Sequence, residues 1–183
     1  MESPVPLRIV VDDRERDEVL LRCLQDKAIV TRKRLSVGDY CVDESIIFER
    51  KSASDFARSL TDGRLFSQAS RLLKSPERPA YILQGGSAEW RECGVRREAL
   101  QGAIITLMLI FDLPLFRAKD SEECARILLY TGRQMIRLRV GGDRVYRQVK
   151  AKRKVTRQRR ILQSLPGVGP ERARRLLERF GNV

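Results

Sequence analysis

Asp39, Glu49 and Lys51 occur at short spacing in residues 38–55, GDYCVDESIIFERKSASD. Because side chains alternate between the faces of a strand, Glu49 and Lys51 are predicted to point to one face and Arg50 to the other. A hairpin that turns near the middle of the segment would bring Asp39 beside Glu49. Two carboxylates can bind Mg²⁺, which polarises a phosphodiester and lowers the pKa of a bound water, while the lysine orients that water. The spacing therefore fits metal-dependent phosphodiester hydrolysis, and it fits a solvated surface hairpin equally well.

A second group of charges follows the apolar run of residues 7–11. Asp12, Arg14 and Glu15 come directly after this predicted strand, and open α/β sheets commonly place ligand sites at the C-terminal ends of their strands. A functional role and a plain charged loop are both compatible with this position. Asp55 lies in the first turn of a predicted helix, where the helix dipole favours a carboxylate, so spacing alone assigns it a structural role.

Composition narrows the class of protein and its partner. The 183 residues include 37 Lys+Arg and 24 Asp+Glu, which give a formal net charge of +13 and favour a polyanionic partner such as nucleic acid. There is no histidine, and the four cysteines are widely spaced, so we expect neither a zinc site nor a histidine-based nucleophile. The longest apolar run, residues 103–111, is too short to cross a bilayer, is interpreted as a buried helix, and gives no reason to expect a membrane partner.

Apolar periodicity predicts strands and helices in alternation over residues 1–136. Strands are predicted at residues 7–11, 29–35, on both sides of a turn at 43–45, at 80–83 and at 115–117. Helices are predicted at residues 18–27, 52–73 with a break near 62–63, 98–111 and 121–136. This order indicates an α/β fold in which helices cover one mixed sheet.

The composition changes at residue 137. Residues 137–158 carry many Lys and Arg with a single acid, and we interpret them as a basic linker. Residues 159–183 are predicted to form two helices joined by a tight turn at Gly167, Val168 and Gly169. The backbone N–H groups of such a turn can bind a phosphate, with Arg172 adding positive charge. A plain αα-hairpin with a glycine cap is the alternative.

Four linked blocks resemble the signature of the XPF/Hef family of structure-specific endonucleases. They are VDDRE at residues 11–15, GDY at 38–40, ERK followed by three residues and Asp at 49–55, and SLTDGRLFSQ at 59–68. The LPGVG segment at residues 165–169 resembles the helix-hairpin-helix family of DNA-binding segments. Relatives usually carry two such hairpins in tandem, so the single hairpin here is expected to be incomplete.

The resemblance implies a restriction-endonuclease-like fold and a role for each matching residue. It implies nicking of one DNA strand near a duplex-to-single-strand junction, such as a 3′ flap or fork, with Mg²⁺ or Mn²⁺ as the cofactor. Asp39 and Glu49 would be the principal metal ligands, Asp12 a further one, and Lys51 the residue that orients the attacking water. Supporting catalytic roles would fall to Arg14, Glu15, Arg50 and Asp55, and a DNA-facing role to Arg64 and Gln68.

Competing interpretations concern activity and assembly. A non-catalytic scaffold subunit that binds branched DNA is one alternative, but the intact Asp39, Glu49 and Lys51 favour an enzyme. A sequence-specific restriction-type enzyme is another, and it fits poorly because phosphate contacts do not read bases. The resemblance also implies a homodimer, or a heterodimer with a related subunit, formed through the apolar stripe of residues 104–111. DNA repair or recombination in the cytoplasm or nucleoid, or in a eukaryotic nucleus, is the expected setting.

Overall fold

The computed structural model describes residues 6–140, 158, 162–163 and 169–180. The chain divides into two compact units, Met1–Ile136 and Arg137–Val183. Most of the predicted linker, together with Gly167 and Val168 of the predicted turn, lies outside the described residues.

Strands and helices alternate through the N-terminal unit. Their order is β1 (Arg8–Val11), α1 (Glu18–Gln25), β2 (Ile29–Arg32), β3 (Tyr40–Val42), β4 (Ile46–Ser52), α2 (Ala53–Thr61), α3 (Leu65–Leu72), β5 (Arg78–Gln84), α4 (Ser87–Glu92), α5 (Arg97–Ile105), a π-helical turn (Thr106–Ile110), β6 (Leu115–Ala118) and α6 (Ser121–Val140). In the C-terminal unit, Pro170–Phe180 forms a further helix, α7.

One six-stranded sheet organises this unit, in the order β2-β1-β3-β4-β5-β6. The β3 strand pairs antiparallel with both β1 and β4. The other neighbours, β1 with β2, β4 with β5 and β5 with β6, pair in parallel. The predicted α/β fold with one mixed sheet is therefore confirmed.

Helices cover both faces of the sheet. On one face, here called the α3 face, Cys41, Ile47 and Tyr81 belong to one buried cluster with helix side chains that include Phe56, Leu65, Ala69, Leu100 and Leu107. Because side chains alternate along a strand, buried residues such as Phe48 and Ile82 lie on the opposite face. We call it the α6 face, since Gly132 of α6 approaches Leu7 and Val42 there.

The hairpin between β3 and β4 has the predicted turn. Asp43 and Glu44 take left-handed backbone angles, with φ of 50° and 51°, and the Ser45 amide donates to the Val42 carbonyl at 3.0 Å. Short polar loops of this kind fix the register of the two strands they join. The turn thereby sets which side chains of β4 face α3.

Several element boundaries differ from the predictions. Strand β2 ends at Arg32 rather than at residue 35, because the Leu35 amide donates to the Asp12 carboxylate instead of continuing the ladder. Helix α4, which was not predicted, follows the predicted turn at Gly85 and Gly86, and Gly86 is its N-cap. Helix α6 continues to Val140, through residues with good helix propensity, and so takes the first four positions assigned to the linker.

The prediction of a buried helix at residues 103–111 is wrong for half of its side chains. Ala103 and Leu107 are buried, but Ile105, Leu109 and Ile110 are 55%, 70% and 69% exposed. Only one side of a helix can pack on a sheet, so an all-round apolar helix leaves its outer side uncovered. No helix in the described part of the chain has the length and apolar character needed to span a membrane.

Candidate active site

Asp39 lies just before β3 and is held between β1 and β4. Its amide donates to the Phe48 carbonyl at 2.7 Å, and its carbonyl accepts from the Asp12 amide at 2.8 Å. Its carboxylate oxygen Oδ2 accepts from the Arg50 amide at 2.7 Å. The antiparallel register of β3 against β4 places Glu49 opposite Asp39 on the α3 face. Asp39 and Glu49, ten positions apart in the sequence, thus form a carboxylate pair.

Gly38 allows the chain to enter this position. Its φ is +74°, and a Cβ atom there would lie 2.5 Å from Ile47 Cγ1 and 3.1 Å from the Phe48 carbonyl oxygen. A larger residue would meet both backbone strain and a collision. The glycine of the GDY block is therefore explained by the placement of Asp39.

The carboxylate pair is electrostatically strained. Burial raises the pKa of Asp39, and the neighbouring Glu49 carboxylate raises it further. Burial also raises the pKa of Glu49, although nearby cations oppose the shift. Two carboxylates in a shallow, partly desolvated position repel each other, and a cation between them would relieve the repulsion.

Three cations surround the pair on the α3 face. Lys51 is 7% exposed, and its Nζ lies 3.8 Å from Glu49 Oε1, so Glu49 and Lys51 share a face as the alternation predicts. The charges of Arg14 and of Arg71, an exposed residue of α3, also lower the pKa of Glu49. The site therefore combines buried negative charge with positive charge around it, an arrangement suited to a metal and a phosphate.

Asp12 has a different environment from the pair. Its carboxylate accepts from the Arg14 amide at 3.0 Å, from Arg14 Nε at 2.6 Å and from the Leu35 amide at 2.8 Å. The Arg14 guanidinium holds the pKa of Asp12 well below its usual range. The resemblance implies Asp12 as a third metal ligand, and that role stays a prediction. In the structure its oxygens hold Arg14 and the loop that precedes Asp39.

Glu15 and Arg50 lie on the α6 face, away from the carboxylate pair. Glu15 accepts from the Tyr40 hydroxyl at 2.6 Å and from Arg50 Nη2 at 2.9 Å. Arg50 also donates to Gln84 at 2.5 Å and pairs with Asp17 at 3.3 Å. Burial alone would raise the pKa of Glu15, but these hydrogen bonds and the Arg50 charge lower it overall. The two residues therefore fasten β3, β4 and β5 together rather than face the pair.

Asp55 lies in the first turn of α2, as its spacing predicts, and contacts the N-cap residue Ser52. Its amide donates to Ser52 Oγ at 3.1 Å, and Ser52 Oγ donates back to its carboxylate at 2.8 Å. Asp55 is 57% exposed and pairs with Arg58 at 3.6 Å. A supporting catalytic role for Asp55 stays a prediction, and its visible contacts are those of a cap.

Arg64 and Gln68 differ in their exposure. Arg64 is exposed and pairs with Asp62 at 2.5 Å, a position open to DNA. Gln68 is partly buried, and its Oε1 is enclosed without a hydrogen-bond partner in the part of the chain that the structure describes. The DNA-facing role that the resemblance implies for Gln68 stays a prediction.

Two residues near the pair were not found from the sequence. Tyr81 is fully buried and is aligned with Glu49 in the parallel register of β4 and β5. Its hydroxyl has no hydrogen-bond partner among the residues that the structure describes. Arg71 lies one helical turn beyond Gln68 on α3. The sequence of an apolar strand or an amphipathic helix does not indicate which polar residue, such as Tyr81 or Arg71, faces a site.

The residues present fit a divalent cation coordinated in part by water. Within the described residues, no group of three or more Asp, Glu, Cys or His side chains is arranged to hold a metal ion. Mg²⁺ commonly uses only one or two protein carboxylates and completes its shell with waters and substrate phosphate. Asp39 and Glu49 supply that number, and their repulsion and the unpartnered Tyr81 hydroxyl indicate a site completed by a further group.

In the described part of the C-terminal unit, α7 corresponds to the predicted second helix. Gly169 precedes α7, and its carbonyl accepts from the Ala173 amide at 3.0 Å. Arg172 is exposed, and Arg174 pairs with Glu171 at 2.5 Å and with Glu178 at 2.9 Å. Gly167 and Val168 of the predicted phosphate-binding turn lie outside the described residues.

The model of the ERCC4 domain matches residues 11–131, a span that contains the carboxylate pair. The chain belongs to the ERCC4-domain family of XPF/Hef-type nucleases. In the same family, the chain is 29% identical to the 3′-flap repair endonuclease Xpf of Saccharolobus solfataricus, over 97% of this chain and 77% of that one. It is 34% identical to a putative ATP-dependent RNA helicase of Methanocaldococcus jannaschii over 97% of this chain, which spans only 22% of that protein's length.

Solved structures of an ERCC4-family protein show the same fold. XPF from Aeropyrum pernix matches with a TM-score of 0.63 and 37% identity, covering 96% of this chain and 82% of that one. Its complex with DNA matches with a TM-score of 0.63 and 36% identity, over 97% and 83% of the two chains. The similarity extends over both units of this chain and supports the assignment of the mixed sheet to the XPF nuclease fold.

Proposed function

We propose that this ERCC4-family chain is a metal-dependent, structure-specific DNA endonuclease that nicks one strand near a duplex-to-single-strand junction, such as a 3′ flap or fork, in DNA repair or recombination. The observation that carries the proposal is the partly buried Asp39–Glu49 pair with Lys51 3.8 Å from Glu49. A surface hairpin with a solvated charge ladder would not bury two like charges together. The names of the Saccharolobus relative and of the DNA-bound Aeropyrum structure support the same activity.

Each residue of the site has a specific part in this proposal. Mg²⁺ or Mn²⁺, bound by Asp39 and Glu49, would polarise the phosphodiester and lower the pKa of the attacking water. Lys51 would orient that water, because its ammonium is held next to Glu49 by burial in a strand rather than by a flexible loop. Asp12 would act indirectly, by fixing the Arg14 guanidinium where it faces the pair and a phosphate oxygen.

DNA contacts would come from both units. Arg14 and Arg71 place positive charge around the pair, and Arg64 is exposed at the start of α3. Arg172 and the predicted turn at residues 167–169 would bind phosphate in the C-terminal unit. The net charge of +13 supports an affinity that comes mainly from phosphates, so selectivity would depend on DNA shape rather than on base contacts.

A second subunit is the proposed partner besides DNA. The exposed side chains of Ile105, Met108, Leu109 and Ile110 form an apolar surface at one end of α5, larger than the scattered apolar residues usual on a monomer. A second copy of the chain, or a related subunit, would cover it. This surface is referred to below as the α5 patch.

Cleavage of labelled DNA tests the enzyme. The full chain is incubated with 3′-flap, fork, loop and plain duplex substrates, each with Mg²⁺, Mn²⁺ or EDTA. We expect metal-dependent nicking of the flap or fork, which Asp39→Asn and Glu49→Gln each reduce at least about a thousandfold while DNA affinity changes little. Arg58→Gln, which removes an exposed charge from helix α2, is the control. Tight binding of branched DNA without cutting by the wild type would instead indicate a scaffold subunit.

A further inference from the structure

We propose that Tyr81 is a positioning residue of the metal site, whose buried hydroxyl donates a hydrogen bond to a carboxylate oxygen of the Asp39–Glu49 pair when a divalent cation is bound. The inference rests on the proposed function, since it needs the pair to bind a cation. It adds a residue of β5 to a site otherwise built from β1, β3 and β4.

The position of Tyr81 follows from the sheet. Strands β4 and β5 are parallel, and Tyr81 is the register partner of Glu49. Neighbouring residues in adjacent strands point to the same face, so both side chains lie on the α3 face. Burial raises the pKa of Tyr81, and the Glu49 and Asp39 carboxylates raise it further. The phenol is therefore within electrostatic reach of both members of the pair.

The hydroxyl of Tyr81 has an unused donor. The side chain is fully buried, and its oxygen has no hydrogen-bond partner among the described residues. Buried hydroxyls in native proteins are nearly always bonded, because an unsatisfied one keeps the full cost of desolvation. Tyr40 shows the usual arrangement on the α6 face, where its hydroxyl donates to Glu15 at 2.6 Å.

A bound cation can turn a carboxylate oxygen of the pair into position as the missing acceptor. Each carboxylate has more lone pairs than a single cation uses, and side chains that ligate metals are commonly oriented by a second hydrogen-bond partner. A cation drawn between Asp39 and Glu49 would fix the rotation of both carboxylates. The Tyr81 hydroxyl, carried by the strand next to β4 on the same face of the sheet, can then donate to a carboxylate oxygen of the pair.

Thermal unfolding of the full chain, titrated with Mn²⁺, tests the role of Tyr81. Without metal, Tyr81→Phe removes only an unbonded oxygen, so its unfolding temperature should equal or exceed that of the wild type. With metal, the Mn²⁺ concentration that gives half of the stabilising shift should rise roughly tenfold. In cleavage assays, saturating Mn²⁺ should restore kcat to within a few-fold of wild type, and KM for DNA should be unchanged.

Tyr40→Phe is the matched control, because it removes a hydroxyl that is bonded. It should unfold at a lower temperature without metal and keep the wild-type Mn²⁺ midpoint. The proposal is overturned if Tyr81→Phe keeps the wild-type midpoint within twofold, or if it loses as much stability without metal as Tyr40→Phe. If Mn²⁺ fails to stabilise even the wild type, or stabilises Asp39→Asn equally, the metal site of the proposed function fails and the Tyr81 role fails with it.

Discussion

The backbone amide of Arg50 donates to Asp39 Oδ2 at 2.7 Å, while the Arg50 side chain lies on the opposite face of the sheet and donates to Glu15. One residue therefore connects two sets of charges on opposite faces of β4. The ion pair on the α6 face holds the strand, and the strand holds the carboxylate pair on the α3 face. Arg50 would thus serve the site through the backbone, even though its guanidinium is remote from the pair.

Glu15→Gln is expected to make the free energy of unfolding less dependent on pH at acidic pH. The pKa of Glu15 is lowered in the folded chain, so its contribution is present above the ordinary value near 4.5 and is lost as pH falls towards the lower folded value. At pH 7 the variant should lose about 3 kcal/mol, because the buried Arg50 guanidinium loses its main partner. Urea unfolding from pH 3.5 to 7 measures both effects.

The difference between the two curves isolates Glu15 from other acids such as Asp12. It should be largest near neutral pH and shrink below pH 4.5, where Glu15 of the unfolded chain begins to be protonated while Glu15 of the folded chain is still ionised. Parallel curves, with a constant gap across the whole range, would contradict the proposed ion pair.

Gly38→Ala is expected to disturb the carboxylate pair through the backbone. The alanine must adopt a φ of +74° and place its Cβ 2.5 Å from Ile47 Cγ1. Gly63→Ala is the matched control, with a φ of +69° and nothing within 4 Å of the added Cβ. Strain alone should cost each variant about 1 kcal/mol, and the collision should add to the loss only at Gly38.

Activity and stability together test this assignment. Gly38→Ala should reduce kcat of cleavage at least about tenfold, because Asp39 is displaced, while Gly63→Ala stays near wild type. Chemical unfolding and cleavage kinetics on the same preparations measure the two effects. Equal losses of stability and activity in both variants would show that the close approach to Ile47 is unimportant.

The local part of the site could be predicted from the sequence. Strand periodicity assigned Glu49 and Lys51 to one face and Arg50 to the other, and the structure shows that arrangement. The predictions of a turn at residues 43–45 and of Asp55 in the first turn of a helix were also confirmed. Each of these features depends on neighbours within a few residues, where the period of the strand or the first turn of the helix decides the geometry.

Features set by long-range packing could not be predicted. The Asp12 carboxylate accepts a hydrogen bond from the Leu35 amide, 23 residues away, a contact that spacing could not predict. The metal-ligand role that the resemblance implies for Asp12 stays a prediction. Tyr81 is aligned with Glu49 only through the register of β4 against β5, strands separated by two helices in the sequence. The apolar residues around Leu109 indicated burial, yet a sequence does not show which side of a helix meets the sheet.

Leu109→Glu is expected to separate a dimer formed through the α5 patch. Leu109 is 70% exposed in the single chain. A charge there should therefore change the stability of the monomer little and destabilise an apolar dimer interface strongly. Val19→Glu, at a side chain that is 55% exposed on α1, is the control. Light scattering after gel filtration should give a dimer for the wild type and the control, and a monomer for Leu109→Glu. A monomeric wild type at high concentration would exclude a homodimer and direct the search to a related subunit.

Arg71→Ala is expected to weaken DNA binding more than chemistry. Arg71 is exposed on α3, and its charge reaches both Glu49 and Tyr81, so it is placed to contact a phosphate next to the one that is cut. Loss of one phosphate contact should raise KM, leave kcat within a few-fold, and lower the slope of log affinity against log salt by about 1. Lys74→Ala removes the same charge from an exposed position just beyond α3 and should keep the wild-type slope. If both variants change the slope equally, the surface acts only through its overall charge, and Arg71 has no defined phosphate partner.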